Sequence, residues 1–199
     1  MIPLHKLLAG SAVEIAPRLL GALFTHASAE GSVSVRLTEV EAYLGSEDPG
    51  SHAFRGPTKR NAVMFGEPGN LYTYFTYGMH VCANIVTGPP GTASGILLRA
   101  GTVVDGVELA RSRRTTSTSD TDLGRGPGRL VVALGITLTD GGSSLNRPPF
   151  SLRLADVAPP CDTGPRTGVA GPGGTVDYPW RFWIPGERSV SPYRQQRPR

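Results

Sequence analysis

Polar and apolar positions along the chain alternate in two rhythms. From Ser11 to Thr25, Ile15, Leu19, Leu20, Leu23 and Phe24 recur at helical spacing, with Ser11 and Glu14 in the positions of a capping box. This predicts a helix over 11–25, in which Pro17 falls early enough to be tolerated. From Val33 to Leu44 the period is two, as in a strand. Val33, Val35 and Leu37 share one side, which continues by simple counting as Glu39, Glu41 and Tyr43. The other side becomes apolar at Val40, Ala42 and Leu44, so the apolar side switches near Thr38.

Residues 45–70 are rich in Gly, Pro, Asp and Asn and read as a long loop, of the kind that is usually either functional or disordered. Strands are expected at 71–77, an aromatic run, then at 81–87 and 96–100. A helix is expected at 106–114, and a second, apolar one opens at Gly126-Pro127-Gly128-Arg129 and covers 130–134. Short strands follow at 152–154 and 181–184, separated by a Gly/Pro loop over 159–179. The polar stretch 115–122 is the best candidate for disorder, and 186–199 reads as a basic tail, frayed from Arg194 onward. Strands and helices mix without a βαβ rhythm, which predicts an α+β fold in one domain spanning 1–199.

Composition narrows the class. A chain of 199 residues that is 39% hydrophobic and 18% charged can bury one real core, and 26 Gly with 18 Pro argue against a helical bundle. The net charge of +4 admits a polyanionic partner without requiring one; 18 of the 20 basic residues are Arg, whose planar fork suits phosphates and bases, although GC-rich coding produces the same bias. Cys82 and Cys161 are far apart and belong to no CxxC pair, so neither a disulfide framework nor a zinc site is expected, and a reducing cytoplasm fits. No apolar run approaches a membrane span, and no signal-peptide block follows the first residues. The motifs of nucleotide P-loops, serine hydrolases, HExxH metalloenzymes and dinucleotide-binding folds are absent.

Candidate chemistry gathers in the first half. Glu41 on its strand is either a solvated strand-end residue or a carboxylate at a cleft mouth, fit for general-base work; Glu39 competes for that role. Four of six tyrosines (Tyr43, Tyr72, Tyr74 and Tyr77) fall between 43 and 77 and suit either ordinary cross-strand packing or the stacking of a planar base. His52 sits in the long loop. Arg99 ends an apolar strand, where it must snorkel or meet a buried carboxylate, and Asn84 must be hydrogen-bonded if buried. The glycines before Arg129 could offer backbone N–H groups to a phosphate.

The ordered series Glu39-Val40-Glu41-Ala42-Tyr43-Leu44-Gly45, His52, Pro57-Thr58-Lys59-Arg60-Asn61, Leu71-Tyr72-Thr73-Tyr74, Tyr77-Gly78-Met79, Asn84, Leu97-Leu98-Arg99-Ala100, Gly126-Pro127-Gly128-Arg129-Leu130, Pro165-Arg166-Thr167-Gly168-Val169 and Pro179-Trp180-Arg181-Phe182 resembles the methylpurine (alkyladenine, 3-methyladenine) DNA glycosylase family. The resemblance spans nearly the whole chain. It implies a curved, mainly antiparallel sheet flanked by helices, and a monofunctional enzyme that flips damaged purines out of duplex DNA and hydrolyses the bond at C1′ during base excision repair. By that resemblance Glu41 is the general base and Arg99 holds the water and the carboxylate. Tyr43, His52 and Tyr74 wall the flipped base, Asn84 crowds the amino group of normal guanine, and Tyr77 is the wedge in the duplex. No cofactor and no metal are implied, and a cytoplasmic (in a bacterium, nucleoid-associated) monomer is expected. Lys6 lies outside the matched segments and Lys59 in a loop, so no Schiff-base lyase step is expected. The stretch 86–95 is longer than the resemblance implies and is expected to bear on the pocket edge. Two other functions fit the residues less fully: a non-catalytic binder of distorted DNA, and a hydrolase of free nucleosides, for which an aspartate-rich calcium cluster is missing.

Overall fold

The computed structural model describes residues 3–76 and 78–195. Among these, eight strands form one sheet in which each pairing is antiparallel: β1 (Leu23–Ser28), β2 (Gly31–Leu44), β3 (Leu71–Thr76), β4 (His80–Thr87), β5 (Ser94–Asp105), β6 (Phe150–Arg153), β7 (Asp162–Gly164) and β8 (Arg181–Trp183). The order is β3-β4-β5-β2-β1-β6, and β8 lies along the second half of β2 with β7 at its far side. The sheet curls into a half-barrel, which gives the α+β architecture expected from the sequence.

Helices α1 (Leu4–Leu8), α2 (Ala12–Ile15), α3 (Val107–Arg113), α4 (Asp120–Leu123) and α5 (Pro127–Leu134) bury their apolar sides against one face of that sheet. Leu130, Val131, Ala133 and Leu134 of α5 share a single cluster with Phe24, Val35, Leu37 and Leu98. Each of the Leu, Val and Phe side chains, fully buried, contributes about 1.5–3 kcal/mol of hydrophobic stabilisation. Among the described residues no helix is long and apolar enough to cross a membrane.

The helix expected over 11–25 stops early. The chain is α-helical for Ala12–Ile15, tightens to a 3-10 turn over Ala16–Leu19, and reverses at Gly21, whose φ is +76°. Pro17 has no N–H to give to the preceding turn, so the α-helical ladder cannot run on. Leu23 and Phe24 belong instead to β1, whose exposure alternates as a strand's does. Ser11 makes no side-chain cap; the Ala12 N–H donates to Ser94 Oγ at 3.2 Å.

The switch of apolar side near Thr38 has a structural cause. The β2–β5 ladder is irregular between Leu37 and Val40, and neither Thr38 nor Arg99 has a cross-strand partner in it. One residue out of the ladder on each strand exchanges the faces while keeping the overall register. Val33, Val35 and Leu37 before the break, and Val40 and Ala42 after it, all point into the core. Glu39, Glu41 and Tyr43 therefore do not continue the apolar row, as period-two counting had them; they turn to the opposite face.

The segments between strands are held by polar contacts. Residues 115–122 pass through turns into α4; Arg111 Nη2 reaches Asp120 Oδ2 at 2.8 Å, and Ser117 Oγ donates to Asp122 Oδ2 at 3.1 Å. Past β8 the chain, read from sequence as a tail, returns across the sheet and buries Ser189 and Ser191.

Candidate active site

On the face opposite the helical core lies a cavity of about 810 Å3. Its floor is the break in the β2–β5 ladder, and its walls come from the 45–70 loop, β3, β4, the start of α5 and the 166–170 loop. Glu41 is 0% exposed and yet lines the cavity, because both carboxylate oxygens are held from behind. Thr167 N–H donates to Oε1 at 2.7 Å, Tyr43 O–H donates to Oε2 at 2.9 Å, and Arg99 Nη1 stands 3.3 Å from Oε2.

The neighbouring carboxylate, Glu39, is used up by the fold. Its Oε1 accepts from Arg99 Nε at 2.8 Å, Arg181 Nε at 2.6 Å and Ser191 Oγ at 2.9 Å, and its Oε2 accepts from Ser191 N at 2.7 Å. Glu39 takes four donors and does not line the cavity, whereas Glu41 takes three, lines the cavity and keeps acceptor capacity on Oε1. Of the two glutamates that the sequence left in competition, Glu41 is thus the one the fold brings to the cavity. Burial alone would raise the Glu39 carboxyl, but Arg99 and Arg181 outweigh it and hold its pKa below the usual range. Burial likewise opposes the Arg99 charge, and Glu41 with Glu39 more than restores it.

The walls are aromatic. Tyr72 and Tyr74 stack with centroids 5.5 Å apart, and His52 meets Tyr74 edge-on at 4.5 Å. His52 Nδ1 is 3.2 Å from Tyr72 Oη. The imidazole is exposed by surface area yet crowded by these rings; partial burial, and then Arg60, lower its pKa. The Tyr43 and Tyr74 phenols are pushed well up, first by burial, with Glu41 adding to both, so they stay protonated and can donate. Asn84 is buried opposite Tyr72 in the β3–β4 ladder, gives its Nδ2 to the Tyr72 carbonyl at 3.2 Å, and lines the cavity. Of the seven residues singled out in the sequence, Glu41, Arg99, Tyr43, His52, Tyr74 and Asn84 line this one cavity. Tyr77 lies outside the described residues. The extended 86–95 segment, expected at the pocket edge, borders a separate recess of about 470 Å3 instead.

Sequence reasoning missed the strut behind the site. Arg166, fully buried, forms a two-pronged pair with Asp48 (Nη1–Oδ2 and Nη2–Oδ1, both 2.6 Å) and also donates to the carbonyls of Ala42 at 2.9 Å and Gly173 at 2.7 Å. Its guanidinium stacks 4.5 Å from the centre of the Tyr43 ring. Asp48 in turn accepts the N–H groups of Leu44 and Gly50. One ion pair therefore ties the loop after β2 to the 166–174 loop, aligns Tyr43, and delivers the next N–H in the chain, that of Thr167, to Glu41. The signal available was Arg166-Thr167 within a matched segment, with nothing nearby to reveal its partner 118 residues away.

A slot of this size, walled by rings and carrying a shielded carboxylate, suits a flat molecule with a polar edge. The chain belongs to the methylpurine-DNA glycosylase family: the family described as "Methylpurine-DNA glycosylase (MPG)" matches residues 6–188. Three bacterial relatives carry the name "Putative 3-methyladenine DNA glycosylase". That of Leifsonia xyli subsp. xyli is 60% identical over 190 residues, covering 93% of this chain and 89% of the relative. That of Nocardia farcinica is 52% identical over 189 residues, covering 90% and 86%, and that of Streptomyces avermitilis is 49% identical over 192, covering 94% and 89%.

Proposed function

We propose that this protein is a monofunctional DNA glycosylase that extrudes an alkylated purine from duplex DNA into the aromatic slot and hydrolyses its N-glycosidic bond with water activated by Glu41. The observation that carries this reading is the Glu41 carboxylate at the cavity floor, held by Thr167, Tyr43 and Arg99 with acceptor capacity to spare. Alkylation at N3 or N7 gives a purine positive charge and makes it a good leaving group. The transition state at C1′ is cation-like, so a fixed, dry carboxylate stabilises it and orients the incoming water. Arg99 keeps the carboxylate and that water in place. Tyr43, His52 and Tyr74 stack the extruded base, Asn84 excludes the amino group of normal guanine, and Tyr77 fills the gap left in the duplex. Neither Lys6 nor Lys59 lines the cavity, which supports hydrolysis without a Schiff-base step. The reaction so drawn uses no cofactor, and one chain supplies every group.

The test is an alkylated duplex incubated with the protein and then treated with hot alkali, which breaks the strand at abasic sites. Breakage only after alkali is expected; breakage before it would refute the monofunctional reading, and none at all would refute the enzyme. Glu41→Gln should hold the lesion duplex while its single-turnover rate falls by about 10²–10⁴-fold, the usual contribution of a general base. Undiminished turnover would remove Glu41 from the mechanism.

A further inference from the structure

Thr167 is fixed on both sides. Arg166 before it is locked by Asp48, Ala42 and Gly173, and Gly168 after it has a φ of +74° and donates its N–H to the Arg194 carbonyl at 3.0 Å. Its own N–H is committed to Glu41. Its hydroxyl is another matter. Among the described residues, Thr167 Oγ1 is the one buried side-chain oxygen or nitrogen without a hydrogen-bond partner, and Thr167 lines the main cavity beside Glu41.

A buried hydroxyl left unpaired destabilises a fold, and such groups in native proteins call for an explanation in function. Here the backbone cannot move to relieve it. Rotation about χ1 between staggered positions can, since it exchanges Oγ1 with the methyl group or the hydrogen on Cβ. Thr167 lines the cavity beside Glu41, which on the proposed function is the sugar end of the slot, so a bound nucleotide can supply there the partner that the free protein lacks. We propose that Thr167 is a substrate-contacting residue whose hydroxyl completes its hydrogen bonding on a polar atom of the extruded nucleotide next to the glycosidic bond. The inference rests on the glycosylase reading and adds to it a group that discriminates among bound nucleotides by their polar atoms at that end.

Thr167→Val keeps the β-branched shape and the N–H to Glu41 and removes only the hydroxyl; Thr167→Ser keeps the hydroxyl. The free proteins are compared by thermal unfolding. Single-turnover base release and affinity are measured on duplexes carrying one 3-methyladenine, 7-methylguanine or hypoxanthine. Thr167→Val should melt higher than wild type, because an unpaired buried hydroxyl has gone. It should release at least one of these bases about three- to tenfold more slowly, the worth of one ordinary hydrogen bond. Thr167→Ser should stay near the wild-type rate. Higher stability with slower release is a combination that a purely structural threonine does not give. Wild-type rates and affinities for Thr167→Val on all three lesions would overturn the assignment. So would a lower melting temperature, which would mean that the hydroxyl has a permanent partner, such as an internal water, in the free protein. Failure of the wild type to release any base would instead overturn the glycosylase reading, and this inference with it.

Discussion

Replacing Glu39 with Gln keeps the size of a fully buried side chain and removes its charge. The four donors around it fix the consequence. Arg99 Nε, Arg181 Nε and Ser191 Oγ converge on Oε1, and Ser191 N on Oε2. A Gln amide must put its NH2 at one of these positions, where it faces donors with a donor, and two buried guanidinium groups lose a counter-charge. Removing one partner of a buried pair typically destabilises by about 3–5 kcal/mol. For a chain of this length each kcal/mol moves the melting temperature by about 2–4 °C, so Glu39→Gln should melt roughly 6–20 °C lower at pH 7. The pH dependence has a definite sign. The folded Glu39 carboxyl lies below its ordinary value, so its stabilisation is complete above the unfolded glutamate pKa of about 4.3 and is lost as pH falls through the lower folded value. The gap between wild type and variant should thus be constant from pH 7 to 5.5 and narrow only in the acid range. Thermal unfolding by circular dichroism across that range reads both. A variant melting within 2 °C of wild type at pH 7 would show that Glu39 is not the structural carboxylate of the pair, and a gap closing near neutrality would show that another group carries the effect.

Gly50→Ala tests the strut: its new Cβ would stand 2.5 Å from Arg166 Nη2 and 2.8 Å from Val169 Cγ1 at an ordinary backbone angle. Overpacking of this kind destabilises by about 1–3 kcal/mol, so lower stability together with slower base release is expected in denaturation and single-turnover assays, and wild-type behaviour in both would argue against the Asp48–Arg166 clamp as the support of the wall. Arg60→Ser removes the cation that, after burial, lowers the His52 pKa. NMR titration should find His52 titrating at higher pH in the variant; an unchanged titration would leave burial as the sole cause.

The parts of this fold that local rules govern were legible in the sequence. The two-residue period of 33–44, the aromatic run at 71–76 and the apolar run of α5 all became the elements that their spacing requires. The helix over 11–25 failed because five apolar residues satisfy a helical period whether or not Pro17 and Gly21 allow the ladder to continue. Leu23 and Phe24 were claimed by β1, where Phe24 is paired with Val35 and buried. The site divides in the same way. Its wall residues are aromatic or charged at positions where such side chains are unusual, so they stand out. Asp48, Arg166, Arg181 and Ser191 act through partners 118 to 152 residues away, and no local pattern records such a pairing.

The break in the ladder at Thr38 and Arg99 is what turns a strand of ordinary composition into a site. Without it, Glu39, Glu41 and Tyr43 would continue the row of Val33, Val35 and Leu37 into a core that has no room for two charges. With it, they turn to the opposite face, where Glu41 and Tyr43 line a cavity and Glu39 is enclosed by Arg99, Arg181 and Ser191. Two carboxylates meet two guanidinium groups, so the buried floor carries no net charge and its desolvation is offset by short, directed bonds. The arrangement is asymmetric. Arg181 and both serine donors go to Glu39, and Arg99 is divided, with its close contact to Glu39 and its longer one, 3.3 Å, to Glu41. The fold thus spends one carboxylate to immobilise the arginine, and leaves the other restrained by Thr167 and Tyr43 but still able to accept. On the proposed function, the open acceptor position on Glu41 Oε1, where Thr167 N–H is the single donor, is the one that holds the incoming water.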